Sequence, residues 1–474
     1  MHRVLCLAAL AWASAISWAN DARAEHPFAL RLDDLIESLA DHHPLILAER
    51  GAVDAANAEL LAARGEFDTL VSVQARTVAS GYYDPKRVEV VVEQPTPLLG
   101  SSLYAGYRVT RGNVAPYYGE QRTLEGGEVR AGARVPLWQD RALDARRAGR
   151  DAAQVLRKAS ERGYAKVVLD LEREAAFAYY AWIAAGQRLA VLDRLVSLAE
   201  LRETQIGQKV ALGALPAIEQ LDNRRSVLER KRQRVAAERV LQKAAIDLSL
   251  FLRASDGSPR IPDMAELPED FALQFSARPA SKTEALSRAL SNRPELSQQQ
   301  AWIAAARIES ELAANRTAPR VDAFGEVSKD LGPSESELDA TLRPTVVEVG
   351  VTLSMPLWMR KARGKLDSAR AKLRAAEQKA AFVRNKVQSD TLDAWSQLDT
   401  ARERSALAEQ TAEAAREVAQ GERERFDLGA TTILFVNLRE QAAADAEMAL
   451  IDAQIEAHYA QARLQLAMGQ GLSN

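Results

Sequence analysis

Apolar residues recur every seven positions through much of the second half of the chain: Leu366, Leu373, Ala380, Val387, Ala394, Ala401, Ala408 and Ala415. An unbroken heptad seam predicts a helix, around 360–426, that supercoils against its neighbours. Alanine dominates the seam, so helix backbones approach closely, which suits a wall of helices around a hollow better than a solid bundle. Sixty-odd residues at 1.5 Å rise make a helix of roughly 95 Å. A similar long helix is predicted around 141–209. Each ends at a Leu-Gly pair and leads into a second helix, 216–252 and 432–468 respectively.

Elsewhere the period changes from seven to two. Val347, Val349, Val351, Leu353 and Met355 alternate with Glu348, Gly350, Thr352 and Ser354. Leu103, Ala105, Tyr107 and Val109 alternate with Ser102, Tyr104, Gly106 and Arg108, and Val71, Val73 and Ala75 with Ser72, Gln74 and Arg76. Such strands carry one apolar and one polar face, which fits a barrel wall between lipid and a wet lumen or a sheet with one buried side.

The chain is written twice. Val-Pro-Leu-Trp at 135–138 matches Met-Pro-Leu-Trp at 355–358, an offset of 220; 209–213 (Lys-Val-Ala-Leu-Gly) matches 425–429 (Arg-Phe-Asp-Leu-Gly), an offset of 216. His42-His43-Pro44 mirrors Asn292-Arg293-Pro294, an offset of 250. Each copy reads helix, strands, very long helix, second helix. The first copy spans 25–253, with strands about 67–137 and a helical hairpin about 141–252. The second spans 280–474, with strands about 320–357 and a hairpin about 360–468; the Pro-rich stretch 254–279 connects them. From Pro44 to Pro136 is 92 residues and from Pro294 to Pro356 only 62, so the first copy carries 30 extra. Two strands per copy give four per chain, or more if the extra residues form a hairpin. Closed barrels begin at about eight strands, so several subunits must share one.

Composition narrows the class. Residues 1–24 carry His2 and Arg3, an apolar run from Val4 to Trp18 and the small residues of Ala22-Arg23-Ala24, which together read as an export signal. The one cysteine, Cys6, lies within it. The remaining chain thus holds no thiol for a disulfide, a zinc site or a nucleophile. A net charge of −3 gives no reason to expect nucleic acid. No segment after the signal reaches about 18 uncharged apolar residues, so a membrane-bound form must cross with strands in a closed barrel. No catalytic residue, cofactor or metal is expected. His42-His43 has no counterpart pair in the second copy, and no Gly-Lys-Ser/Thr phosphate loop occurs. The basic run Arg224-Arg225 and Arg230-Lys231-Arg232 reads as a solvated helix face.

Six tyrosines (82, 83, 104, 107, 117 and 118) crowd the first strand region, as an interfacial belt does. Trp138 and Trp358 sit where strand gives way to helix, just after Pro136 and Pro356, and read as membrane-interface anchors. Duplication, Val/Met-Pro-Leu-Trp turns, Leu-Gly tips and element order together resemble the TolC family of outer-membrane efflux and secretion channels. The resemblance implies a mainly helical fold with a β-barrel portion: a homotrimer with a shared twelve-stranded barrel in outer-membrane lipid and a helical tunnel through the periplasm. It implies that Leu212, Gly213, Leu428 and Gly429 form the periplasmic tips that receive an adaptor protein joined to an inner-membrane pump. It places the constriction just beyond those tips, at Glu219 in the first copy. The second copy departs from the family's acidic lining, with Phe435 and Leu438 and nearby Asn437, which points to an apolar constriction. The rival reading is a soluble periplasmic coiled-coil adaptor or scaffold. Such proteins carry one helical hairpin between compact β domains, whereas here there are two, each preceded by alternating strands.

Overall fold

The computed structural model describes residues 29–115, 122–268, 279, 281–333 and 345–472. The expected export signal, Tyr117, Tyr118 and part of the connector lie outside the described residues.

Each repeat opens with two short helices separated by a single extended residue. α1 (Leu32–His42) stops at His43 and α2 (Pro44–Gly65) starts at once; α5 (Lys282–Asn292) stops at Arg293 and α6 (Pro294–Asn315) follows. The following proline drives His43 and Arg293 out of the helical region, to ψ 127° and 120°. The same proline then suits the first helical position, where no N–H is needed. His43 adds a cap, its Nδ1 accepting from the Leu45 N–H at 3.3 Å. Its ring stacks on Phe251, so His43 has a structural task.

Six strands follow one another in space as they do in sequence: β1 (Leu70–Thr77), β2 (Lys86–Pro95), β3 (Ser102–Arg111), β4 (Glu128–Pro136), β5 (Arg320–Asp330) and β6 (Val346–Ser354). All neighbours are antiparallel, making one meander. Among the described residues the first repeat therefore holds four strands and the second two, the outcome expected if the extra residues form a hairpin. The extra residues of the first copy form the hairpin β2–β3. β1 leaves α2 as β5 leaves α6, and β4 and β6 lead into the long helices.

Register sorts every strand onto two faces. Val71, Val92, Ala105, Ala131, Val327 and Val347 run across the sheet on one side, by the pairings Val71↔Val92↔Ala105↔Ala131↔Val327↔Val347. Ser72, Glu89, Arg108, Glu128, Glu326 and Glu348 belong to the other.

The long helices are α3 (Ala145–Ala211, 67 residues) and α7 (Arg360–Asp427, 68 residues), each about 100 Å at the α-helical rise. α4 (Ala217–Leu248) and α8 (Ile433–Ala467) return along them. Trp182, Ile183 and Leu189 of α3 pack with Leu35, Leu39, Ile46 and Leu248. In the second repeat Trp395 and Leu398 pack with Ala285, Ala457 and Leu464. The repeats meet along α3 and α8, through Leu192 and Leu195 against Ile451 and Ile455. The heptad seam is a true packing row over part of its length: Val387, Ala394 and Ala401 are buried, beside a second buried row of Thr391, Leu398, Ser405, Ala412 and Ala419. Leu366, Leu373 and Ala380 stay half-exposed in the single chain. Among the described residues no helix is long and apolar enough to cross a membrane.

Candidate functional site: the belt, the tips and a buried carboxylate

The sheet's apolar face is bare. On β6, Val347, Val349, Val351 and Leu353 are all at least 66% exposed, and Val71 and Val73 of β1 nearly as much. Soluble proteins rarely leave so continuous an apolar surface to water. A lipid-facing wall requires it, with the alternate residues facing a wet lumen. Pro136 ends β4, and Pro356 follows β6. Just beyond them, Trp138 (62% exposed) and Trp358 (71% exposed) project from the protomer rather than packing in its core. The first of these turns is tied to the second repeat: Leu137 N–H donates to Val321 O at 2.7 Å, and Asp140 N–H to Asn315 Oδ1 at 2.7 Å.

At the opposite ends of the long helices the two tips share one geometry. Gly213 and Gly429 have φ of +72° and +75°, a conformation that costs an L side chain roughly 1–2 kcal/mol. In each, the residue after the glycine closes a bond to the carbonyl five back: Ala214 N–H to Lys209 O and Ala430 N–H to Arg425 O, both 2.8 Å. The glycine N–H reaches three back, to Val210 O and Phe426 O. This Schellman arrangement satisfies the last carbonyls of each long helix and reverses the chain. Leu212 (83%) and Leu428 (84%) are thrust outward at the turn. Behind them Ile206, Ile433 and Val436 form a small core with Phe426 against it, and the Lys209 ammonium lies 5.1 Å from the Phe426 ring centre. The four tip residues thus belong to one end of the molecule, joined across the repeats.

Glu219 lies half-exposed in the first turn of α4. Phe435 is half-exposed on α8, between Leu434 and Leu438, which are exposed as well. Asn437 behaves differently, its Oδ1 accepting from Arg202 Nη1 at 3.0 Å.

That bond leads to a cluster the sequence did not signal. Glu440 of α8, 3% exposed, receives Arg202 of α3 through both carboxylate oxygens. Arg230 of α4, 2% exposed, approaches Glu440 Oε2 at 3.4 Å and donates to Leu195 O at 3.2 Å. Arg423 of α7 lies 3.5 Å from Oε1. One carboxylate therefore ties all four helices of the two hairpins, eleven residues from each tip glycine along α3 and α8. Arg230 is a correction to the solvated-face reading of the basic run. Arg224 and Arg225 are exposed as expected, but Arg230 is buried, and burial pushes its guanidinium pKa down while the Glu440 charge opposes the shift.

Higher along the seam, His458 of α8 stacks on Tyr180 of α3 at 4.8 Å between ring centres. Burial lowers its pKa to about 4, so the ring is neutral at neutral pH.

A six-stranded sheet with a bare apolar face, carried on two hairpins of about 100 Å with matched tips, has the architecture of TolC-type outer-membrane channel proteins. Residues 285–470 match the model of the outer membrane efflux protein family. Three solved structures share the fold. A membrane protein from Pseudomonas aeruginosa matches at 18% identity over 93% of this chain and 94% of that one, with a TM-score of 0.65. The open-state MtrE outer membrane channel of Neisseria gonorrhoeae matches at 17% identity over 94% and 90%, TM-score 0.65. The outer membrane protein VceC of Vibrio cholerae matches at 16% identity over 93% and 96%, TM-score 0.64. No curated protein sequence matches the chain. The fold of this chain is thus that of outer-membrane channel proteins.

Proposed function

We propose that three copies of this chain assemble into one conduit across the outer membrane and periplasm for efflux or secretion. The tips receive a periplasmic adaptor that joins the conduit to an inner-membrane pump. The observation that carries the docking is the pairing of outward leucines, Leu212 and Leu428, each beside a positive-φ glycine, at the end of both hairpins. An exposed leucine beside a residue with no side chain lets another helix come close and bury apolar surface. The channel proteins whose fold this chain shares support the trimer, and the bare β1 and β6 edges need partners. Transport itself needs no catalytic residue and no cofactor in this chain.

Phe435, with Leu434 and Leu438 beside it, supplies an apolar constriction at the tip, and Glu219 a charged group at the corresponding place on the first hairpin. Asn437, two residues further along α8, accepts from Arg202 through its Oδ1 at 3.0 Å. In planar bilayers the purified protein should show small, discrete, long-lived conductance steps. Phe435→Ala should raise the leak, and an unchanged leak would remove Phe435 from the constriction. For docking, Leu212→Asp and Leu428→Asp should abolish cross-linking to the cell's adaptor and export in a deletion strain, with trimer and bilayer conductance intact. Undiminished cross-linking in the double variant would refute the tip contact.

A further inference from the structure

The resemblance implies a barrel of twelve strands, four from each subunit, yet the described residues of this chain build six. The question is whether the added hairpin β2–β3 belongs to the wall or hangs beside it. Four features place it in the wall. Its pairings are full length, with β2 matched to β1 over eight residues and to β3 over ten. Its apolar residues Val88, Val90, Val92, Ala105 and Tyr107 fall on the same side as Val71, Val73, Ala131 and Val327. Its ends register with the outer strands, as Glu93 pairs Leu70 on one flank and Ser102 pairs Arg134 on the other.

The fourth feature is the polar face, where side chains reach over whole strands. Arg130 of β4 passes over Gly106 of β3 to bind Glu89 of β2, which also holds Arg87. Tyr104 of β3 passes over Gly132 of β4, donating its hydroxyl to Glu326 of β5 at 2.7 Å, and Arg130 stands 3.8 Å from the same carboxylate. A Cβ at Gly132 would meet the Tyr104 ring at 2.5 Å, so the glycine is the space the tyrosine needs. Glu89, Arg130, Tyr104 and Glu326 thereby stitch the added hairpin to strands of both repeats.

We propose that three copies close a single barrel of eighteen strands, with β6 of each copy pairing β1 of the next. This rests on the trimer proposed above. β1 and β6 are the two free edges of the meander; their outer-face valines are exposed and continue one belt. Six strands are too few to close a barrel alone. Barrel diameter grows roughly in proportion to strand number, so the membrane end is about one and a half times as wide as a twelve-stranded one of equal tilt. The membrane end is then a wide, charge-lined vestibule, and selection by size falls to the tips.

The test is electron cryomicroscopy of the full-length protein in lipid nanodiscs, combined with cysteine pairing in a chain whose only native cysteine is Cys6. Eighteen strands around a threefold axis are expected. Oxidation should link Val73→Cys on β1 to a cysteine at Val347, Val349 or Val351 on β6 of another copy, giving trimers on denaturing gels. A threefold particle with twelve strands, in which Val73→Cys links within one chain to Ala131→Cys on β4, would overturn the proposal and leave the trimer standing. A particle without threefold symmetry would overturn the trimer itself.

Discussion

At their tips the two repeats keep one hydrogen-bond pattern, with equal 2.8 Å closures at Ala214 and Ala430 and glycine φ angles within a few degrees. At their membrane ends they diverge, four strands against two. The contrast shows which end tolerates change. A tip must finish helices of 67 and 68 residues at one level, so lengthening one hairpin alone would break its register with the other. A meander grows by whole hairpins: two added strands return the chain to the same side, and α3 still leaves the sheet in the direction α7 does. Near the tips the Glu440 cluster fastens one hairpin to the other, as the β4–β5 pairing does at the opposite end.

Removing that fastening should have the largest effect. Glu440→Ala leaves Arg202 and Arg230 buried without their carboxylate, a loss of about 3–5 kcal/mol for a broken buried pair. Denaturant unfolding of the detergent-solubilised protein should show it, along with faster protease cutting near the tips. Replacing all three residues by apolar ones of similar volume should recover much of the stability, because the unpaired charges go too. If Glu440→Ala unfolds like the parent, the carboxylate does not hold the hairpins together.

Next in size is the histidine on the seam between repeats. In the folded chain His458 has a pKa of about 4, below the ordinary 6.5. As pH falls below about 6.5 the unfolded chain takes up a proton the folded one refuses. Stability contributed by neutral His458 is therefore lost progressively down to about pH 4, where the loss levels off. A shift of two to three units corresponds to about 3 kcal/mol. His458→Gln should flatten the stability difference between pH 7 and pH 4.5. An unaltered slope would assign the acid sensitivity elsewhere, with His43, also lowered by burial, as the first alternative.

What could be read in advance follows the same division. The tips were legible because Leu-Gly after a long heptad pattern is a local signal: a residue fit for positive φ where periodicity stops. β1, β3 and β6 were legible by clean alternation. β2 hides behind the consecutive run Val90-Val91-Val92, and β5 carries Phe324 on its polar face, where the ring lies over Gly350. That arrangement exists only once β6 is alongside. Glu440 was invisible for the same reason: one carboxylate among 65 acidic residues, with partners 238 and 210 positions away. Arg230 looked like its exposed neighbours because a run of charges does not say which member points inward.

The tip glycines give a smaller and paired effect. Gly213→Ala and Gly429→Ala would each meet nothing within 4 Å, so only the positive φ is at stake. Each should cost about 1–2 kcal/mol, and by equal amounts, if the two turns are the same device. Gly132→Ala differs in kind: a Cβ there meets both the Tyr104 ring and the Gly325 carbonyl oxygen of β5 at 2.6 Å, so Tyr104→Ala should relieve only part of its cost. Unequal losses at the two tips, measured by thermal unfolding, would break the comparison drawn above.

The smallest effect lies at the starts of the long helices, where the repeats again part. α3 begins on Asp144, whose Oδ1 accepts from the Arg147 N–H at 2.9 Å while the Arg147 side chain holds the Asp140 and Arg141 carbonyls. α7 begins on Met359, with no side-chain cap and a φ of +49°. Methionine in the left-handed region is strained by roughly 1–2 kcal/mol, whereas glycine adopts it freely but loses about 0.5–1 kcal/mol more chain entropy on folding. Met359→Gly should therefore stabilise by less than about 1 kcal/mol, and Met359→Asn by a similar amount, since asparagine tolerates this region. Gln139, which holds the place of Met359 in the first repeat, has no positive φ. There the glycine substitution relieves no strain, adds the entropic loss and removes the Gln139 Nε2 bond to Asp140 Oδ2, so Gln139→Gly should destabilise. Opposite signs at these equivalent positions would show that the strand-to-helix turns, alike in sequence through Pro-Leu-Trp, are built differently in the two copies.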